Sequence, residues 1–180
     1  QIQQMRQMID GGKVDAIIIC CSNLTALNQT IKYGWEKGIP TLSFTGFTTS
    51  PYSINTSVNY RLVGFYIGAW MAELIGEKGN VIVMDGIPGY SASDQQSDGM
   101  LEGLGQYPNI KVVAQLAHNW TSQVAQKELS QWLSSNPIEI HGIAVQSSGE
   151  TGTLQALLQS GRDPIPPIAL GGELGALCYW

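Results

Sequence analysis

Residues 78–100, KGNVIVMDGIPGYSASDQQSDGM, put an apolar strand ahead of a turn built on Gly86, Pro88 and Gly89, with a polar helix behind it. That order is the one in which phosphate-binding loops are assembled. Yet the turn has neither the GxGxxG spacing of a dinucleotide fingerprint nor the Lys-Ser/Thr pair of a P-loop. A bare helix N-terminus can hold an anion, but Asp85 and Asp94 flank this one and would repel it. The alternative is a tight strand-to-helix turn with Ser91 or Ser93 capping the helix. Other reactive side chains are sparse. His118 and His141 are the only histidines, His141 opens a strand, and no Ser-His-Asp or Cys-His set follows from local spacing. Three cysteines include the adjacent pair Cys20 and Cys21 inside an apolar run, without CxxC or a histidine cluster. Neither a disulfide framework nor a metal site follows from them.

The elements that must position these groups alternate along the chain. A helix is expected over residues 2–9 and a buried strand over 14–20, where the apolar run VDAIIIC is continuous. A helix over 24–37 stops at Gly38, and a strand over 39–44 leads into a polar loop over 45–56. Residues 60–75 form a helix apolar nearly all round, with Gly64 and Gly68 one turn apart, where another backbone could approach closely. Its apolar stretch, 62–75, carries Glu73 and is shorter than the roughly 20 residues that span a bilayer. After 76–79 the alternation restarts: strands over 80–84, 110–116, 140–145 and 168–170, helices over 92–106, 121–134 and 150–159. Short connections and the lack of hairpin signals predict an α/β fold with doubly wound parallel sheets.

In such sheets ligands bind at the carboxyl ends of the strands. The loops there offer Ser22 and Asn23; residues 46–52; Asp85, Tyr90, Ser91 and Gln96; His118, Asn119 and Trp120; Gln146, Ser147 and Ser148; and Glu173. These are hydrogen-bonding groups with scattered aromatics and few fixed charges. Trp120 could stack on the apolar face of a ligand such as a sugar ring, or could pack as a hydrophobic staple at a helix edge. His118 reads as either a ligand-side group or a solvated loop residue. With 43% hydrophobic and 13% charged residues the chain can bury a core. Its 9 Lys and Arg against 14 Asp and Glu, net charge -5, argue against a nucleic-acid partner.

The order of the segments MIDGGKVDAIIICCSNLTALNQTIKYGWEKGIPTLSF, NYRLVGFYIGAWMAELIGEKGNVIVMDGIPG, GLGQYPNIKVVAQLAHNWTSQVAQKELSQWL and GTLQALLQSG resembles the type I periplasmic binding proteins that feed ABC sugar importers. The resemblance covers essentially the whole chain, and the effector domains of lac-repressor-like regulators share it. It implies two similar lobes joined by a hinge, with a sugar held between them. Residues 1–76 would be the later part of the first lobe and 77–180 most of the second, with the first hinge crossing at 76–79. The chain thus reads as an internal fragment.

Carried over position by position, the resemblance implies a ligand set of Ser22, Asn23, Asn59, Tyr90, Gln96, Trp120 and Gln146. Several positions depart from the family pattern. Cys20, Cys21, Ser22 and Asn23 stand where a proline is common, and Val58-Asn59 stands where the family has Asp-Asn. Gln96, three residues before Gly99, replaces an arginine, and Gly171 or Gly172 replaces an aspartate, leaving Glu173 as the nearest acid. A less charged pocket than in pentose and hexose binders follows. The resemblance further implies a sugar or polyol ligand, an ABC transporter permease as partner, a monomer, no cofactor, no metal and no catalysis. It also implies a periplasmic or lipid-anchored extracytoplasmic location. Two other functions share the fold: an effector-sensing domain of a transcription regulator, which needs a helix-turn-helix ahead of Gln1, and an enzyme, for which no acid-base or phosphate constellation is present.

Overall fold

A computed structural model describes residues 1–162 and the strand backbone at 168–169. The chain divides into two compact units, one of residues 1–59 with 89–92 and one of residues 60–88 with 93–180. This division falls one helix ahead of the segment 76–79.

The first unit contains α1 (Ile2–Asp10), β1 (Ile17–Ile19), α2 (Asn28–Glu36), β2 (Thr41–Phe44) and β3 (Ser53–Thr56). Its sheet has the order β1-β2-β3, with both pairings parallel. Because strand side chains alternate between faces, Ile17 and Ile19 point one way, into a core with Met5 and Ile9 of α1 and Ile31 of α2. The other face carries a cross-strand row set by register, Ile18 beside Leu42 beside Ile54. Ile18 and Ile54 stand exposed there.

The expected polar loop over 45–56 ends in a strand, β3, parallel to β2. Its sequence, Ser-Ile-Asn-Thr, is mostly polar because this is an edge strand with little to bury. The chain returns to a parallel neighbour without a crossover helix, and Asn55 clamps the connection. Its Oδ1 accepts from Thr48 N–H at 3.0 Å while its Nδ2 donates to Thr48 O at 2.9 Å.

In the second unit, α3 (Tyr60–Leu74) precedes β4 (Lys78–Asp85), α4 (Ser91–Gly105), β5 (Asn109–Ala117), α5 (Ser122–Ser135), β6 (Gly142–Val145), α6 (Glu150–Ser160) and β7 (Ile168–Ala169). The first two residues of α4, Ser91 and Ala92, are counted with the other unit. The sheet is wholly parallel, in the order β5-β4-β6-β7. Ile82, Met84, Ile143 and Val145 face α5 and α6 through Ala125, Leu129 and Leu157. Val81, Val83 and Ala144 face the opposite way, onto Met71 of α3 and Met100 and Leu104 of α4. Both faces are therefore covered, as a parallel sheet requires. The fold class is the doubly wound α/β arrangement read from the sequence.

The two glycines anticipated on α3 meet a backbone, that of α4, and the meeting is reciprocal. A Cβ added at Gly64 or Gly68 would collide with the carbonyl oxygens of Gln96 and Met100, and one added at Gly99 or Gly103 would collide with those of Arg61 and Phe65. Arg61 also donates from Nε to Glu102 Oε2 at 2.9 Å across the same pair of helices. No helix among the described residues is long and apolar enough to cross a membrane.

Candidate ligand-binding site

The sheet of the second unit has its topological switch at β4 and β6. These strands are neighbours, but α4 leaves β4 on one face and α6 leaves β6 on the other. Diverging helices open a crevice at the carboxyl ends of such strands. The ladder continues past the strands here: His118 N–H donates to Asp85 O, Asn119 N–H to Gly86 O and Gln146 N–H to Met84 O. Gly86 is thereby held between the loops that carry Trp120 and Gln146. A Cβ on it would meet Trp120 Nε1 and Gln146 Oε1, so anything larger must push that pair apart.

Trp120 and Gln146, both expected at a ligand, are brought into direct contact. The indole Nε1–H donates to Gln146 Oε1 at 3.3 Å. Gln146 is fully buried. Its Oε1 also accepts from Ser93 Oγ at 3.1 Å, and its Nε2 donates to Ser93 O at 2.9 Å and to Ser97 Oγ at 2.8 Å. Ser97 Oγ–H donates to Asp85 Oδ1 at 2.6 Å, and Gln115 Nε2–H donates to Asp85 Oδ2 at 3.4 Å. Gln96 lies on the same helix, half-buried. Ser93, Ser97, Asp85 and Gln115 were not singled out as one network from sequence. Their i, i+4 spacing on α4 opposite a strand-end Asp was the available signal.

Asp85 is half-buried at the end of β4, and its carboxyl pKa is raised, chiefly by burial, against the Ser97 hydrogen bond that lowers it; Asp94 and Asp98 add to the rise. A raised folded-state pKa means that the native state holds the proton more tightly than the unfolded chain. The associated stability is fully present below the unfolded carboxylate value and is lost as pH rises through the folded one. We expect the melting temperature of the protein, relative to Asp85→Asn, to fall as pH climbs from about 4 upward. A difference that stays flat across that window, measured by thermal unfolding, would show that Asp85 titrates normally.

His118 is not a solvated loop residue. It is fully buried, with its ring lying against Gly149, where a Cβ would stand 2.7 Å from Cε1. Strand-end backbone here is also unusual. Asn119 and Trp120 have φ of 52° and 54°, and Ser148 has 72°. Left-handed φ at non-glycine residues costs roughly 1–3 kcal/mol and concentrates at binding and catalytic sites.

The other expected residues lie in or beside the first unit. Tyr90 is buried, with its hydroxyl 3.2 Å from Cys20 Sγ, and Ser91 Oγ accepts from Phe47 N–H at 3.3 Å, so Ser91 is engaged away from its own helix. Cys21 donates from Sγ to Phe47 O at 2.8 Å. Ser22 and Asn23 are exposed in the loop after β1. Ser22 Oγ donates to Gln1 Oε1 at 3.2 Å, whereas Asn23 Oδ1 accepts from the backbone of Thr25 and Ala26, both at 3.0 Å, and so builds its own turn. Asn59 is exposed just ahead of α3. Gly171, Gly172 and Glu173 lie outside the described residues. Among the described residues no group of three or more His, Cys, Asp or Glu could hold a metal.

Parallel doubly wound sheets whose switch-point loops present an aromatic, amides and hydroxyls define a ligand-binding α/β module. Residues 1–180 match the periplasmic binding protein domain family over their whole length, and the chain belongs to that family. It is 30% identical over 174 residues to a xylitol-binding protein of Mycolicibacterium smegmatis, covering 96% of this chain and 50% of that protein. It also resembles a solute-binding protein of an ABC transporter from Thermobispora bispora, with TM-score 0.90 and 26% identity over 99% of this chain and 54% of the other. A third likeness is to a periplasmic solute-binding protein from Actinobacillus succinogenes with bound D-allose, with TM-score 0.84 and 27% identity over 93% and 62% of the two chains. The chain spans about half the length of the curated relatives it matches.

Proposed function

We propose that the protein is an extracytoplasmic solute-binding protein that captures a sugar or polyol for an ABC importer. The single observation that carries this reading is Trp120, an aromatic at the switch point whose polar edge is already held by Gln146, leaving the ring to act as an apolar platform. Uncharged polar groups around it suit hydroxyls, and the relative named for xylitol and the one with bound D-allose support that ligand class. In this reading the ligand lies between two lobes joined by a hinge with a crossing near 76–79. Ser22, Asn23, Asn59, Tyr90, Gln96 and Trp120 contribute to its binding, with Gln146 behind Trp120. The protein acts as a monomer that delivers to a permease.

Titration of tryptophan fluorescence with pentitols, pentoses and hexoses, xylitol among them, should give a saturable change with at least one ligand. Silence across the panel would sink the reading. Gln96 offers an amide where a guanidinium would give a charge-assisted fork. Gln96→Ala should weaken binding about five-fold, the loss of one ordinary hydrogen bond. An unchanged Kd would make α4 scaffolding alone.

A further inference from the structure

We infer that Gln146 is a positioning residue that never touches the ligand and instead fixes the orientation of Trp120. This rests on the solute-binding reading only for its consequence; the geometry stands by itself. A primary amide has two N–H donors and two acceptor lone pairs. Gln146 uses all four on protein: Trp120 Nε1–H and Ser93 Oγ–H at Oε1, Ser93 O and Ser97 Oγ at Nε2. It is fully buried, so nothing remains to offer a hydroxyl.

The amide can take only one orientation. The indole N–H and the Ser93 carbonyl oxygen are a pure donor and a pure acceptor, and reversing the amide would set donor against donor and acceptor against acceptor. Ser97 reinforces the choice, because its single proton goes to Asp85 and its oxygen must accept. The chain Asp85–Ser97–Gln146–Trp120 therefore transmits a fixed direction from the end of β4, across α4, to the indole. Gly86 closes the arrangement from below, with no side chain to separate the pair. Aromatic stacking on a sugar face depends on ring plane, so fixing the plane before binding removes an ordering cost at the moment of binding.

The test begins without ligand. Solvent exchange of the Trp120 indole N–H, followed by NMR, should be about ten-fold faster in Gln146→Met, which keeps side-chain length but has no amide. Should that variant fold poorly, Ser97→Ala removes one of the two acceptors that hold Nε2 and should speed exchange about three-fold. Unchanged exchange in the folded variant or variants would overturn the inference. The second measurement is a double-mutant cycle on xylitol affinity, extended to the other members of the panel. Gln146→Met should raise Kd about ten-fold in the native background and less than about two-fold when Trp120→Phe is already present. An equal loss in both backgrounds would mean that Gln146 acts directly on the ligand, which overturns the proposal. If nothing in the panel binds the native protein, the solute-binding reading falls, while the exchange rates still decide the positioning role.

Discussion

Gly99→Ala is expected to destabilise the protein by about 3 kcal/mol, while Gly105→Ala in the same helix should stabilise it by about 0.5 kcal/mol. The two changes add the same methyl group to α4, one inside the helix and one at its last residue, and they differ sharply in what it meets. At Gly105 there is nothing within 4 Å, so the better helix propensity of alanine is all that is felt. At Gly99 the methyl would collide with the carbonyl of Arg61, a backbone atom that cannot swing aside as a side-chain tip could. Relief requires α3 and α4 to separate, and separation loosens Gly64, Gly68 and Gly103 as well as the packing of Met71 and Met100 on the sheet. Once the helices have moved apart, a second methyl at Gly64 meets less resistance. Gly64→Ala combined with Gly99→Ala should therefore cost less than the sum of the two. Urea denaturation of the four variants checks both claims, and a neutral Gly99→Ala would mean that the crossing is not held at backbone contact.

That crossing shows what a sequence can disclose. Gly64 and Gly68 inside an otherwise apolar helix announced a close backbone approach, because nothing else explains two glycines one turn apart in a helix interior. The partner was not disclosed, since the spacing of Gly99 and Gly103 beside Met100 and Leu104 marks a second close-packed face without saying which helix meets it. Most strands were legible for a related reason. VIVM and GIAV are buried on both faces, so their apolar runs are unbroken. β3 escaped because an edge strand of Ser, Asn and Thr has no burial pattern to read. At the site, residue types at strand ends pointed to Trp120 and Gln146 but not to their mutual contact. The burial of His118 is not legible, because a strand-end histidine gives no sign that the glycine at 149, on the next strand-end loop, leaves space for its ring. Positions suggested by family likeness, such as Asn59 and Ser22, are exposed polar residues, and nothing in their own surroundings distinguishes them from ordinary loop groups.

The turn DGIPG yields the second large effect, and it separates two glycines that look alike in sequence. Gly89 has φ of 79° and open space around the position of a Cβ, so Gly89→Ala should cost about 1 kcal/mol of stability through backbone strain alone. Gly86 has no such φ; its constraint is space. A methyl there would meet Trp120 Nε1 and Gln146 Oε1 together, and the pair must part to admit it. Parting breaks the 3.3 Å indole hydrogen bond and tilts the ring, while the buried Gln146 amide loses one of four partners. Leaving a buried acceptor short of a donor costs about 1–3 kcal/mol. Much of the resulting strain should be released by Trp120, the only half-buried member of the group. The expected result is a Kd for sugar or polyol raised about thirty-fold in Gly86→Ala, with a melting temperature close to that of Gly89→Ala. Gly89→Ala should leave Kd within about three-fold. Fluorescence titration beside thermal unfolding of the two variants reads both quantities. If both substitutions weaken binding equally, the turn acts through its backbone shape. If Gly86→Ala alone does so, the glycine is there to let an indole and an amide meet at the mouth of the sheet.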